Sequence, residues 1–316
     1  MCGIVGLHLR DPELYPRLGE LLAGMLCEMS DRGSDSAGVS VYGDPTWSPE
    51  GSVGVSLLEV VDDAATVERN VVAALGAPVV VTLLDATHVV TAAVEVDALV
   101  AAARAAYPTA LVAGFGADVT VLKGVGSPRR LAESWGLARA QGWQGVGHTR
   151  MATESAVTTK GAHPFSTGSD QCLVHNGSFH NHATIRRDLV REGVVFDSEN
   201  DTEVGARFVA HALSAGRDVE EALTELTTTF DGFYTLLVSN SDSFAVVRDA
   251  IACKPAIIAE TDGWVAMASE YRALAHLPGV EDARLWEPEP EVVYHWSRPE
   301  HALAAAASIE EMGVPA

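Results

Sequence analysis

Met1-Cys2-Gly3-Ile4-Val5-Gly6 is the stretch on which the reading of this chain turns. A cysteine directly behind the initiator is small enough to permit removal of Met1, and that removal would give one residue both a thiol and a free α-amine. An unperturbed α-amino group titrates at about 7.7–8.0, so a sizeable fraction is neutral near pH 7 and can take the thiol proton directly or through one water. Cys2 is thus a candidate nucleophile carrying its own base, although a cysteine at position 2 taken alone also fits an accident of the start codon. Ile4, Val5 and Leu7, set among Gly3 and Gly6, read as a short buried strand. Such a strand would hold the terminus inside the fold, where most termini are loose.

Outward from this strand, Leu14, Leu18, Leu21, Leu22, Met25, Leu26 and Met29 recur at helical spacing. They predict one amphipathic helix over 13–30, with Cys27 in its core. Asp31-Arg32-Gly33-Ser34-Asp35-Ser36-Ala37-Gly38 is a polar, glycine-punctuated loop leading into a strand at Val39–Tyr42. From about 52 to 140 the texture changes to runs of Val, Leu and Ala with few aromatics. The pattern gives a strand at Val53–Val61, a helix at Ala64–Leu75, paired strands at Val79–Leu84 and His88–Val96, a helix at Asp97–Ala106 and two short β-rich runs within Ala110–Lys123. This predicts an inserted α+β module, a sheet with two helices on one face. Gly114-Phe115-Gly116 lacks the third glycine and following helix of a dinucleotide fingerprint and reads as a turn. Helices are expected at about 128–141, 181–192, 201–215 and 218–228. Strands are expected at Gly145–His148, Leu173–His175, Gly232–Ser239, Phe244–Asp249, Ala256–Ala259, Trp264–Ser269 and Glu291–Trp296, with a terminal helix in the Ala-rich 302–311.

The bulk properties narrow the function. Of the 316 residues 47% are hydrophobic and 20% charged, with no apolar run of the roughly 18 residues that a membrane span needs. No basic-then-apolar leader marks a secretory signal. Cysteines at 2, 27, 172 and 253 have neither CxxC spacing nor framework density, which argues against a zinc site and a disulfide scaffold and for a reducing, cytoplasmic setting. A net charge of −22, with no local Lys/Arg-rich stretch, disfavours nucleic acid and anionic membranes.

Three clusters place polar residues where a structural core would not choose them. In Gly147-His148-Thr149-Arg150-Met151-Ala152-Thr153-Glu154 a single Arg among small and apolar residues suits a bidentate pair with a carboxylate, a structural ion pair being the alternative. In His175-Asn176-Gly177 an amide donor beside a glycine N–H has the makings of an oxyanion hole, and Asn-Gly is also a common turn. Asp201, in Glu199-Asn200-Asp201-Thr202-Glu203, could be an N-cap or could meet an ammonium group.

Together with Cys2, the succession Arg32-Gly33-x-Asp35-Ser36-Ala37-Gly38, His148-Thr149-Arg150, His163-Pro164-Phe165, His175-Asn176-Gly177 and Asp201-Thr202-Glu203 closely resembles the class II glutamine amidotransferases. These are N-terminal-nucleophile hydrolases, and the similarity is strongest to the glutaminase domain of glucosamine-phosphate synthase. It covers most of 1–51 and 143–249. The resemblance implies an α+β fold, a four-layer αββα sandwich built from 1–51 and 141–316, with 52–140 as an inserted module. It makes Cys2 the nucleophile and its α-amine the base, and gives Asn176 and Gly177 the oxyanion. Arg150 and Thr153 would hold the glutamine α-carboxylate, Asp201 its α-ammonium, and Arg32 would belong to a loop ordering over the site. Glutamine would be hydrolysed through a γ-glutamyl thioester with no metal or organic cofactor. Met151 and Glu154 depart from the aromatic and His that members of the family carry there, which bears on the pocket wall. The long insert and the lack of a fused synthase domain make this chain similar to the amidotransferase subunits of glutamate-synthase-like and N-methylglutamate-synthase-like enzymes. The expectation is a glutaminase subunit passing ammonia to a separate synthase partner, oligomeric state open. The alternatives are a stand-alone γ-glutamyl or other amide hydrolase and a non-catalytic glutamine-sensing subunit.

Overall fold

The computed structural model describes residues 2–151 and 156–298. Strand β1 (Gly3–Leu9) is buried along its whole length, and its two-residue alternation sets the layering. Val5, Leu7 and Leu9 enter a core shared with helix α1 (Leu18–Glu28), whereas Ile4 enters a second core with Val174, Leu237 and Phe244 of another sheet. Gly6 lies on this inter-sheet face. A Cβ there would sit 2.4 Å from Leu237 Cδ1 and 2.8 Å from the Phe244 ring, so the missing side chain is what lets the sheets close. By the same period Cys2, just before the strand, falls on the inter-sheet side.

The first sheet has seven antiparallel strands in the order β14 (Arg284–Trp286), β12 (Ile257–Glu260), β13 (Trp264–Ala268), β1, β8 (Gln144–Arg150), β2 (Ser36–Tyr42) and β7 (Val119–Val125). The second has the order β15 (Tyr294–Ser297), β11 (Ser243–Arg248), β10 (Gly232–Ser239) and β9 (Cys172–Phe179), also antiparallel. α1, α4 (Pro128–Ser134) and α8 (Tyr271–Leu274) pack outside the first sheet; α5 (His182–Arg191), α6 (Asp201–Ser214) and α7 (Val219–Thr229) pack outside the second. The result is the expected four-layer αββα sandwich. Leu18, Leu22, Met25 and Leu26 of α1 are fully buried, each stabilising by about 1.5–3 kcal/mol relative to exposure. The helix expected over 13–30 is shorter, because Pro12–Arg17 forms a 3-10 turn containing Pro16, which cannot donate to the helical ladder. Cys27 is half-buried instead of a core residue, since it lies off the buried stripe of α1.

The expected module over 52–140 is divided between two sheets. β3 (Val53–Leu58), α2 (Ala64–Leu75), β4 (Val80–Leu84), β5 (Thr87–Ala92), α3 (Val96–Ala106) and β6 (Leu111–Gly116) form their own sheet in the order β4-β5-β3-β6. Both helices lie on one face of it, giving the split β-α-β, ferredoxin-like arrangement. β7 instead pairs with β2, Val39 opposite Leu122, and α4 packs on α1. β7 is buried on both faces, so its apolar run carries no boundary signal. The turn expected at Gly114-Phe115-Gly116 lies inside β6; the bend comes at Ala117-Asp118, where the Asp170 carboxylate accepts the N–H groups of Ala117, Asp118 and Val119. The terminal helix expected at 302–311 lies outside the described residues.

Candidate active site

The ends of several strands meet at one edge of the sandwich. β1 begins with Gly3 opposite Thr149 of β8, and Arg150 at the end of β8 is opposite Ser36 of β2. Behind β13, Ser269 accepts the Ile4 N–H on its Oγ and donates its own N–H to the Ile4 carbonyl, both at 2.9 Å. In the second sheet, the alternation of β9 sends Leu173, His175 and Phe179 toward the helices and Val174 and Asn176 toward the first sheet.

Cys2 is where these elements converge. Its carbonyl oxygen accepts a hydrogen bond from Arg32 Nε at 2.9 Å and another from Asn176 Nδ2 at 3.2 Å, so donors from both sides of the cleft fix its backbone. Its partly exposed thiol lies 3.9 Å from the Met151 carbonyl. Arg32 is only 8% exposed, and its Nη1 meets Glu270 Oε1 at 2.7 Å. Glu270 also pairs with Arg272 at 2.8 Å, and Arg272 reaches Asp31 at 3.3 Å. The Arg32 hydrogen bond holds the Glu270 carboxyl below its usual range. Arg32 therefore bridges the Cys2 backbone and Glu270.

Asn176 is buried, and Gly177 beside it has φ +149°. A Cβ on Gly177 would sit 2.0 Å from the Phe233 carbonyl oxygen, so only glycine fits there. Arg150 is buried at the end of β8, its Nη1 donating to the Ala156 carbonyl at 3.3 Å. Thr153 and Glu154 lie outside the described residues. Asp201 is not the N-cap. Asn200 takes that place by accepting the Thr202 N–H on Oδ1, because its backbone is extended while Asp201 already has joined α6. The partly exposed Asp201 carboxylate accepts the Phe179 N–H at 2.9 Å and lies 4.0 Å from His175 Nδ1.

Three buried imidazoles support this surface. His148 Nε2 donates to the His175 carbonyl at 3.0 Å, and its ring stacks on His163 with centroids 4.0 Å apart. Thr202 Oγ1 bridges His163 Nε2 at 3.0 Å and His175 Nδ1 at 2.9 Å. Burial pushes His148 down to about 3, His163 well below its ordinary value, and His175 down as well. All three rings are neutral near pH 7, so the Thr202 hydroxyl can accept from one and donate to the other. The histidines stood in the quoted motifs without a role, and Glu270 was missed altogether. It follows the expected strand Trp264–Ser269, so the same search for polar residues at strand ends would have found it.

Among the described residues no group of three or more His, Cys, Asp or Glu is placed to hold a metal ion, and no helix is long and apolar enough to cross a membrane. A cleft of about 260 Å³ between α5, α6 and α7 is lined by Leu189, Phe208, His211 and Arg217, and none of the residues around Cys2 lines it.

The profile of a glutamine amidotransferase domain family matches residues 133–301. The glutamine amidotransferase-like protein GlxB of Rhizobium meliloti is 49% identical over 96% of this chain and 100% of its own length. The glutamine–fructose-6-phosphate aminotransferase of Thermococcus kodakarensis is 32% identical over 52% of this chain, a match that spans 27% of that enzyme. Among solved structures, the glutamine phosphoribosylpyrophosphate amidotransferase of Bacillus subtilis superposes with a TM-score of 0.58 at 17% identity, covering 94% of this chain and 49% of the other, a likeness of fold. Profile and relative show that the chain belongs to the glutamine amidotransferase family, and the structural likeness places it on the class II, N-terminal-nucleophile fold.

Proposed function

We propose that the protein hydrolyses glutamine to glutamate and ammonia through a thioester on Cys2, after removal of Met1. The Sγ atom attacks the side-chain amide carbon of glutamine while the α-amine takes the thiol proton. The C=O bond opens to an oxyanion, which Asn176 Nδ2 and the Gly177 N–H receive. Nδ2 carries two hydrogens; one serves the Cys2 carbonyl and the second is offered to the oxyanion. Collapse of the intermediate breaks the C–N bond, and the leaving nitrogen takes the proton back from the amine and departs as ammonia. Water, activated by the same amine, then cleaves the thioester and releases glutamate. Arg150 and Thr153 hold the α-carboxylate and Asp201 the α-ammonium.

The observation that carries this reading is the double hydrogen bond on the Cys2 carbonyl, from Arg32 in the turn after α1 and from Asn176 in the second sheet, which fixes the residue that bears the thiol. Ammonia passes to a separate synthase subunit. Ammonia set free in neutral water is protonated and lost as a nucleophile, which favours delivery to a docked acceptor. The test is a glutaminase assay on wild type and Cys2→Ala: turnover only in the wild type supports the reading, and equal turnover refutes it.

A further inference from the structure

We infer that Glu270 is a positioning residue for the nucleophile, acting through Arg32; this rests on the reading of Cys2 as the catalytic thiol. Arg32 reaches Cys2 by one hydrogen bond, from Nε to the carbonyl at 2.9 Å, and is anchored at its other end by Glu270 at 2.7 Å. Its Nη2 has no hydrogen-bond partner among the described residues, so the Nη1–Glu270 bond is what sets the plane of the guanidinium. The planar fork of five N–H donors is rigid, and fixing one edge fixes the direction of the other.

Glu270 is itself held firmly. The two hydrogen bonds between Ser269 and Ile4 tie the residue before it to the same strand that carries Cys2, so the carboxylate and the nucleophile share one rigid frame. Arg272 braces the second carboxylate oxygen at 2.8 Å and is linked to Asp31, next to Arg32 in the chain. The backbone on the Arg32 side is pinned as well: the Arg32 N–H donates to the Met29 carbonyl, which also accepts from Thr149 Oγ1. Glu270 closes a ring of contacts, Cys2–Arg32–Glu270–Ser269–Ile4, that returns to the strand of the nucleophile. Without its carboxylate the guanidinium is free to turn, and the Cys2 carbonyl keeps only the Asn176 amide, whose hydrogens the oxyanion also needs.

The experiment is a double-mutant cycle on the full chain with Glu270→Gln, Arg32→Gln and both, read as kcat and KM for glutamine. Glu270→Gln is expected to lower kcat by about 10- to 100-fold with KM little changed, the size of effect a small misplacement of a reacting group produces. The double variant is expected to be no worse than Arg32→Gln alone, and Glu270→Asp to recover part of the loss. Independent, multiplying losses, or a loss confined to KM, would overturn the proposal. The rate of Cys2 alkylation by iodoacetamide, followed by peptide mass, runs through the same cycle and does not depend on glutamine. A wild type that fails to hydrolyse glutamine thus refutes the proposed function, whereas multiplying effects on alkylation refute the role of Glu270. If Glu270→Gln is recovered unfolded, Glu270→Asp with Arg32→Lys carries the same cycle and the same criterion.

Discussion

At the scale of single residues, the site separates groups that bind from groups that act on the transition state. In the proposed function Arg150 and Asp201 bind the two ends of glutamine, so Arg150→Ala and Asp201→Ala are each expected to weaken glutamine binding by about 1.5–3 kcal/mol, read as a rise in KM. Asn176→Ala is expected to act on turnover instead, lowering kcat by roughly 10²–10³-fold, because an oxyanion donor works only where the negative charge develops. An Asn176→Ala enzyme with raised KM and undiminished kcat would remove the oxyanion assignment. Cys2, Arg150, Asn176 and Asp201 stood out in the sequence because each is a polar residue beside a strand or at a helix start. Glu270 has the same place at a strand end, but its meaning depends on a partner 238 positions away in the sequence. The mutual arrangement of His148, His163, His175 and Thr202 was hidden for the same reason: four separate segments meet only when the sheets stack.

At the scale of elements, periodicity did most of the work, and its limits were local. α2 matches its expected span because Asp63 caps it by accepting the Thr66 N–H and Gly76 ends it in a left-handed conformation, both readable signals. α8 and β14, at Tyr271–Leu274 and Arg284–Trp286, are too short for any period to show. The sheet-to-sheet contact at Gly6 yields a sharper test. Gly6→Val would drive methyl groups into Leu237 and Phe244, and overpacking of this kind costs typically about 1–3 kcal/mol. The urea midpoint should fall accordingly, while the equivalent change at the half-buried Gly24, where nothing lies within 4 Å of a new Cβ, should cost much less. Equal losses at the two positions would contradict the close approach of the sheets.

At the scale of the whole molecule, buried neutral histidines couple stability to pH. Burial holds His8 at about 4 and His148 at about 3, against 6.5 when exposed, and lowers His163 and His175 too. Between those values the unfolded chain binds protons that the folded chain does not. Stability is therefore complete above about pH 6.5 and is lost as pH falls through that window, by up to about 1.4 kcal/mol per pH unit for each histidine. Urea titrations at neutral and mildly acid pH measure this, and unchanged midpoints would contradict the buried cluster. The ferredoxin-like unit poses a question of its own. Gly54 and Gly116 pair across its base, so residues 53–116 can be replaced by a short linker, whereas a deletion reaching 125 would strip β7 from the main sheet. If the unit serves the synthase partner, its removal should leave basal glutaminase activity and abolish stimulation by that partner; stimulation that survives would assign the unit elsewhere. The layered fold was legible through the resemblance of its motifs, but the division of 52–140 between two sheets was not, since pairing of β7 with β2 is a long-range choice. The central claim is that Cys2, as the amino-terminal residue, is the nucleophile, and the most direct measurement is the mass of the amino-terminal peptide from enzyme quenched in acid during glutamine turnover. The expected result is a peptide beginning at Cys2 and carrying one glutamyl group on its sulfur, absent from Cys2→Ala; full turnover by protein that retains Met1 would contradict it.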